Sequence, residues 1–329
     1  GSGSNFDIYG QRVASNGTKI GGAFPIFNSG SNEKNPQVAW NSSQNEYMVI
    51  CEYDSGGGLY QARIQRVSSA GSLNGGPSTF FSTGNIQRDP CIAYNSSENK
   101  YMAAFANDYS GDGLDDLLNI ALDANGNVIA GAYMSWSPYV IKKLRATYNT
   151  QTNEYLVASE LTDNVSAMRI ALFKLNSNGG GSGISVGLAQ KMYSPYVIYN
   201  PARNEYAVSF QYDYFSNGSE YAVGIMKVNS SVMDPFIWSN FRAAGNSFLW
   251  PTIAYYSSKD EYLAAFTNRV NSSGEYNLQT IRISAGTLAQ VTTETMCVAS
   301  EDGKAEQKGS VVFNSSSDQF LAVYEYING

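Results

Sequence analysis

The sequence contains no histidine, and only 15% of its 329 residues are charged. The first absence removes imidazole general acid–base chemistry, Ser-His-Asp triads and histidine-ligated zinc. The second comes with a formal net charge of −7. That balance offers no basic stripe to displace counterions from phosphate, so nucleic acid is not an expected partner. No apolar run is long enough to span a membrane, and no stretch sustains a helical period, so membrane insertion is not expected either. Cysteine is scarce. Cys51, Cys91 and Cys297 are an odd number without metal-type spacing, set in strand-like apolar contexts, and they read as buried thiols that leave the compartment open. The opening GSGS, residues 1–4, reads as a tag remnant or linker, and no signal peptide follows it, which a mature chain would lack in any case.

What is present favours β-structure: 24 Tyr, 15 Phe and 31 Gly, with abundant Val, Ile, Asn and Ser. One pattern recurs along the chain. In order it reads PQVAWNSSQNEYMV, PCIAYNSSENKYMA, LRATYNTQTNEYLV, PYVIYNPARNEYAV, PTIAYYSSKDEYLA and GSVVFNSSSDQFLA. The anchoring aromatics Trp40, Tyr94, Tyr148, Tyr199, Tyr255 and Phe313 are spaced by 54, 54, 51, 56 and 58 residues. A strand-rich repeat of this period is the signature of propeller blades, none of which can bury both faces alone.

Each unit reads as four antiparallel strands. Strand a is the PxVAY run, and strand b begins at the aromatic of NEY. The Asn-Ser segment between them makes the turn, because those side chains hydrogen-bond their own backbone. A variable loop, strand c and a weaker strand d complete the blade. The sixth unit stops after strand b, at FLAVYEYING. The first residues, NFDIYGQRVASNG, match the strand c of the first blade, LYQARIQRVSSAG. The expected fold is therefore all-β: a six-bladed β-propeller with four antiparallel strands per blade. The N-terminal strands c and d would complete the C-terminal blade and close the ring. Residues 5–329 form one domain on this reading, with blades near 35–85, 89–135, 142–190, 194–245, 250–300, and 309–329 plus 5–28.

A charge pattern supports the register. Glu46, Glu154, Glu205 and Glu261 precede the strand-b tyrosine, and Arg66, Lys174, Lys227 and Arg282 stand near the end of strand c. In a hairpin these positions face each other. The second blade has Lys100 in place of the acid and Ala121 in place of the cation. These pairs read as structural and exposed, worth about 0.2–1 kcal/mol each.

Function is sought where the repeat varies. The residue after the strand-a proline or its equivalent is Gln37, Cys91, Arg145, Tyr196, Thr252 or Ser310. Unlike, mostly polar side chains at the inner strand suit a ligand floor; equally, a solvated channel tolerates any of them. Loops expected on the same face carry Trp136, Tyr139, Tyr212, Tyr214, Phe215, Phe248 and Trp250, whose rings suit sugars or plug the gaps between blades. The expected ligand-binding set is Gln37, Arg145, Tyr196, Thr252, Trp136, Tyr214 and Trp250.

One loop, NDYSGDGLDD, reads D-x-S-x-D-G-x-x-D through Asp108, Ser110, Asp112 and Asp116. Alternating oxygens of this kind suit Ca²⁺. The segment resembles the calcium hairpin loops of integrin α-subunit propellers, with Ser110 in place of the middle acid; the resemblance implies a bound calcium ion. The alternative is a solvated acidic hairpin. Eight N-x-S/T sequons, at Asn16, Asn41, Asn95, Asn164, Asn217, Asn229, Asn271 and Asn314, imply glycosylation only for a secreted eukaryotic chain.

As a whole the chain resembles propellers of secreted repeat type, such as fucose-type lectins and integrin-like ectodomains. The resemblance implies an extracellular or cell-surface, non-catalytic recognition or adhesion module that binds a glycan or an extracellular protein. Two other classes stay open: a structural building block of a surface layer, stalk or filament, and a glycosidase. The latter would draw its carboxylates from Asp54, Asp89, Glu160, Asp213 and Glu325. The strand-a positions themselves contain no acid, which sets the glycosidase third.

Overall fold

The structure, a computed structural model, describes residues 5–15, 17–54, 56–80, 86–108, 111–134, 139–163, 168–188, 190–231, 235–270, 275–291, 296–299 and 304–328. These residues hold strands, turns and bends, and no helix.

Strands β1 (Ile8–Val13) and β2 (Lys19–Phe27) form a two-stranded hairpin. The first full sheet contains β3 (Glu33–Asn41), β4 (Glu46–Asp54), β5 (Tyr60–Ser68) and β6 (Leu73–Thr79), in that order. The second has β7 (Ile86–Asn95), β8 (Lys100–Asp108), β9 (Asp116–Asp123) and β10 (Val128–Met134). The third has β11 (Tyr139–Asn149), β12 (Glu154–Asp163), β13 (Met168–Asn176) and β14 (Gly181–Val186). The fourth has β15 (Met192–Asn200), β16 (Glu205–Asp213), β17 (Tyr221–Asn229) and β18 (Pro235–Phe241). In the fifth, β19 (Asn246–Tyr256), β20 (Glu261–Val270) and β21 (Tyr276–Ser284) pair in sequence, and β22 (Met296–Ala299) adds to β21. Hairpin β23 (Lys304–Asn314) and β24 (Gln319–Asn328) joins that sheet through a single parallel bridge, Tyr276 to Ala305.

The meander of four expected for each complete repeat is therefore present five times. The chain divides into two compact units, Gly1–Ser166 with Phe173–Gly183, and Ala167–Leu172 with Ile184–Gly329.

The repeat motif explains how sheets adhere. Asn41 Oδ1 accepts the amides of Ser43 (2.9 Å) and Gln44 (3.0 Å), which folds the turn, and Asn45 closes it at φ 55°. Asn95 and Asn149 do the same for the next two turns. The motif also stitches neighbours. Asn41 Nδ2 donates to Asn99 (3.1 Å), Asn95 Nδ2 donates to Asn153 (2.8 Å), and the Tyr94 and Tyr148 hydroxyls donate to Ser43 and Ser97. In the second unit Asn200 Nδ2 donates to the buried Tyr262 hydroxyl at 3.0 Å. Between sheets the fill is apolar. Met48, Ile50 and Ile64 of the first sheet meet Tyr101, Phe105 and Ile120 of the second. Ile225 of the fourth sheet shares a cluster with Phe248, Phe266 and Ile281 of the fifth.

The four expected ion pairs form: Glu46–Arg66 at 2.8 Å, Glu154–Lys174 at 3.0 Å, Glu205–Lys227 at 3.1 Å and Glu261–Arg282 at 2.6 Å. They are not surface decorations. Glu46, Glu205 and Lys227 are buried, and Lys227 Nζ also donates to the carbonyls of Ala285 (2.9 Å) and Gly286 (3.1 Å). Lys100 turns to Glu98 at 2.5 Å instead.

Candidate functional site

The first strand of every repeat carries an irregularity that the sequence does not announce. Register shifts fall between Lys34 and Gln37, Arg88 and Cys91, Lys142 and Arg145, Tyr193 and Tyr196, Leu249 and Thr252, and Gln307 and Ser310. Within each bulge one non-glycine residue has positive φ: Asn35 (52°), Asp89 (49°), Lys143 (51°), Ser194 (48°), Trp250 (51°) and Lys308 (49°). Bulges re-aim side chains, and positive φ at bulky residues is costly backbone that surrounding contacts must hold.

At three bulges those contacts come from the fifth residue after the strand-b aromatic of the preceding repeat. Glu52 Oε1 accepts the Asp89 amide at 2.6 Å, Gln211 Oε1 accepts the Trp250 amide at 3.4 Å, and Thr267 Oγ1 accepts the Lys308 amide at 3.1 Å. In the second repeat this residue is Ala106, which has no acceptor. There the Asp89 carboxylate itself takes the Lys143 amide.

In the first unit the bulges gather a compact set of ionisable groups. Glu52 and Glu160 are buried carboxylates. Glu160 Oε1 lies 3.0 Å from Lys143 Nζ. Asp89 sits in the field of both acids and of Arg145. Burial pushes its carboxyl above the usual carboxylate range, Glu52 and Glu160 push the same way, and the Lys143 amide and Arg145 oppose them. Arg145 donates through Nη1 to the Leu144 carbonyl at 2.8 Å and forms no ion pair among the described residues. Gln37 spans its neighbours, donating from Nε2 to the carbonyls of Pro90 (2.9 Å) and Leu144 (2.7 Å). Beneath lies Cys91, whose thiol burial pushes up to about 12, so it is inert. Cys51 is likewise a buried free thiol; the Cys297 side chain lies outside the described residues.

The expected ligand-binding residues thus divide. Gln37, Arg145 and the adjoining Asp89 and Glu160 come together. Thr252 stitches one strand to the next through the Gly309 carbonyl at 3.3 Å, and Tyr196 packs against the apolar fill beside Ile253 and Tyr262. Trp250 occupies a bulge, with Lys308 Nζ 5.9 Å from its ring centroid. Tyr214 lies between Phe215 and the Arg242 guanidinium, 4.0 Å above its ring. Phe248 is a plug, buried on Phe266 with centroids 4.4 Å apart. Trp136 and Ser110 lie outside the described residues.

Of the remaining acids, Asp213 caps its own turn through the Gly218 amide at 3.0 Å and Asp54 caps Gly56 at 2.9 Å; the Glu325 side chain lies outside the described residues. In the aspartate loop, Asp108 accepts the amides of Gly111 (2.7 Å) and Gly113 (3.0 Å), and Asp112 accepts that of Leu114 (2.9 Å). Among the described residues no three acids or thiols converge in a metal-binding group.

Sequence reasoning missed Glu52. The signal was available, because Glu52, Glu160, Gln211 and Glu325 occupy one repeat position.

No protein-family model matches the chain, and no curated protein is found to match it. Solved structures do resemble it. A protein of unknown function from Dyadobacter fermentans DSM 18053 has a TM-score of 0.60 at 11% identity, covering 87% of this chain and 88% of that one. The Hadza microbial sialidase Hz136 has a TM-score of 0.56 at 11% identity, covering 91% of this chain and 66% of the sialidase. The Dos1 propeller is similar at 0.48 and 11% identity, with 85% and 65% covered. The neighbours include β-propeller proteins, and at such identity the likeness concerns fold alone.

Proposed function

We propose that this chain is a glycan-recognition module of the extracellular space or cell surface, built as a six-bladed propeller whose ring is completed by β1 and β2 beside β24. The carrying observation is the group formed by Gln37, Glu52, Asp89, Lys143, Arg145 and Glu160 at the bulges of the first three repeats. Closely spaced donors and acceptors of both signs, fixed on strands, suit the hydroxyls of a neutral or weakly charged sugar. Arg145 supplies N–H groups and Asp89 a carboxyl that can accept or donate. Calcium at Asp108, Ser110, Asp112 and Asp116 is a separate part of this proposal, and the ion would compete with the loop amides that now hold Asp108. The test is a glycan array probed with the whole chain, in calcium and in chelator. Specific binding lost in Arg145→Ala supports the reading; a blank array opposes it.

A second reading has its own observation. Asp89, its carboxyl raised by burial and by the nearby Glu52 and Glu160, is disposed as a proton donor. In that case the same site hydrolyses a glycosidic bond, and Asp89→Asn abolishes turnover of chromogenic glycosides while binding persists.

A further inference from the structure

The second unit holds a cavity of about 340 Å³ that the reading above does not use. It is lined by Ile184, Val186, Leu188, Met192, Phe210, Met226 and Trp238, with Ser185 and Gly187 at its edge. Its size falls at the small end of the roughly 300–1,000 Å³ typical of ligand pockets.

Local sequence makes the space. Strand β14 is glycine-rich and short, so Ile184 and Val186 form a wall with no bulky residue next to them at Gly187. Across the gap, Gly224 stands opposite Phe210, and a Cβ there would lie 2.2 Å from the Phe210 ring. The ring therefore lies flat over β17. Met226 pairs with Trp238 across β17 and β18, and Tyr212 supports the indole at 5.6 Å between centroids. Met192, Phe210 and Met226 give a dry floor, whereas Trp238 remains 42% exposed. An exposed indole over a dry floor is an unfinished contact that a flat apolar group would complete.

The edge adds a charge. Gly187 has no side chain, and a Cβ at that position would sit 3.4 Å from Cδ and Nε of Arg169. Arg169 is exposed and makes no ion pair among the described residues. A cation at the rim of an apolar slot selects a ligand with a flat body and an anionic end.

We propose that this cavity is a second binding site, for a small aromatic carboxylate whose ring lies against Trp238 and Met226 and whose carboxylate pairs with Arg169. The site is independent of the bulge residues of the first unit.

Calorimetric titration of the whole chain with 3-phenylpropionate, and with its neutral amide, tests this. Saturable binding of the acid is expected. The amide, and the acid with Arg169→Gln, should bind about ten-fold more weakly or worse, the usual worth of one charge-assisted hydrogen bond. Trp238→Ala should abolish binding while unchanged unfolding by heat shows the fold intact. No saturation at millimolar acid, equal affinity for acid and amide, or undiminished binding by Trp238→Ala would each overturn the proposal.

Discussion

Asp89 is the residue on which the account turns, because its carboxyl is tied to both backbone and charge. Its raised pKa means that, between the ordinary carboxylate range and the elevated one, the folded chain holds a proton there that the unfolded chain has released. Stability assigned to Asp89 is thus intact below the ordinary carboxylate range and lost as pH rises through the elevated one. Asp89→Asn keeps an acceptor for the Lys143 amide without the charge. Urea unfolding should show wild type losing ground to this variant as pH climbs through that window; parallel profiles would contradict the assignment. The ion pairs make a second comparison. Lys227→Met strands a buried Glu205 and should cost about 3–5 kcal/mol, whereas breaking the half-exposed Arg203–Asp260 pair should cost at most about 1 kcal/mol. Chemical denaturation of both variants measures the difference. The Glu205–Lys227 pairing was legible from the sequence, since acid and cation recur at matched positions; the Arg203–Asp260 pair was not. The burial of Glu205 and Lys227 was not legible, because Lys227 is covered by the Ala285 and Gly286 backbone, which the hairpin pattern does not contain.

Among the strands, the bulge is the feature that sequence rules conceal. A residue before proline is expected to be extended, yet Asn35, Asp89, Ser194 and Trp250 precede proline and have positive φ. The period-two pattern of PxVAY starts cleanly after the bulge, so nothing in it records the register shift. What holds the strained backbone at Asp89, Trp250 and Lys308 is an acceptor from the preceding repeat, 37, 39 and 41 residues away in sequence. Hence the variable position after proline was visible as a candidate, and Asp89 as one acid among five, but the bulge that gathers them was not. The strain itself can be measured at Asn35, whose side chain is exposed. Asn35→Val should destabilise by about 1–3 kcal/mol, and Asn35→Gly should be neutral or stabilising. Equal midpoints in urea for the two variants would argue that the bulge is unstrained.

For the molecule, internal repetition carried most of the architecture. The five complete four-stranded meanders and the Asn-Ser turns follow from one motif, read where it recurs. At the chain ends the same motif gives the β23–β24 hairpin, whereas β1 and β2 pair with each other as a two-stranded sheet. The hairpin β1–β2 belongs to the fold of the first unit in any event: Ile8 and Phe27 bury against Val49, Cys51 and Val67. Removing residues 5–27 uncovers that cluster and should lower the melting temperature by several degrees, since each large buried side chain is worth about 1.5–3 kcal/mol.

The central claim is that the bulge cluster of the first unit recognises a sugar, and one measurement meets it directly: a glycan array probed in parallel with wild type and Arg145→Ala. The account expects a defined set of glycans bound by wild type and lost by the variant, with both proteins melting alike. An array blank for wild type, or one read identically by the two proteins, would contradict it.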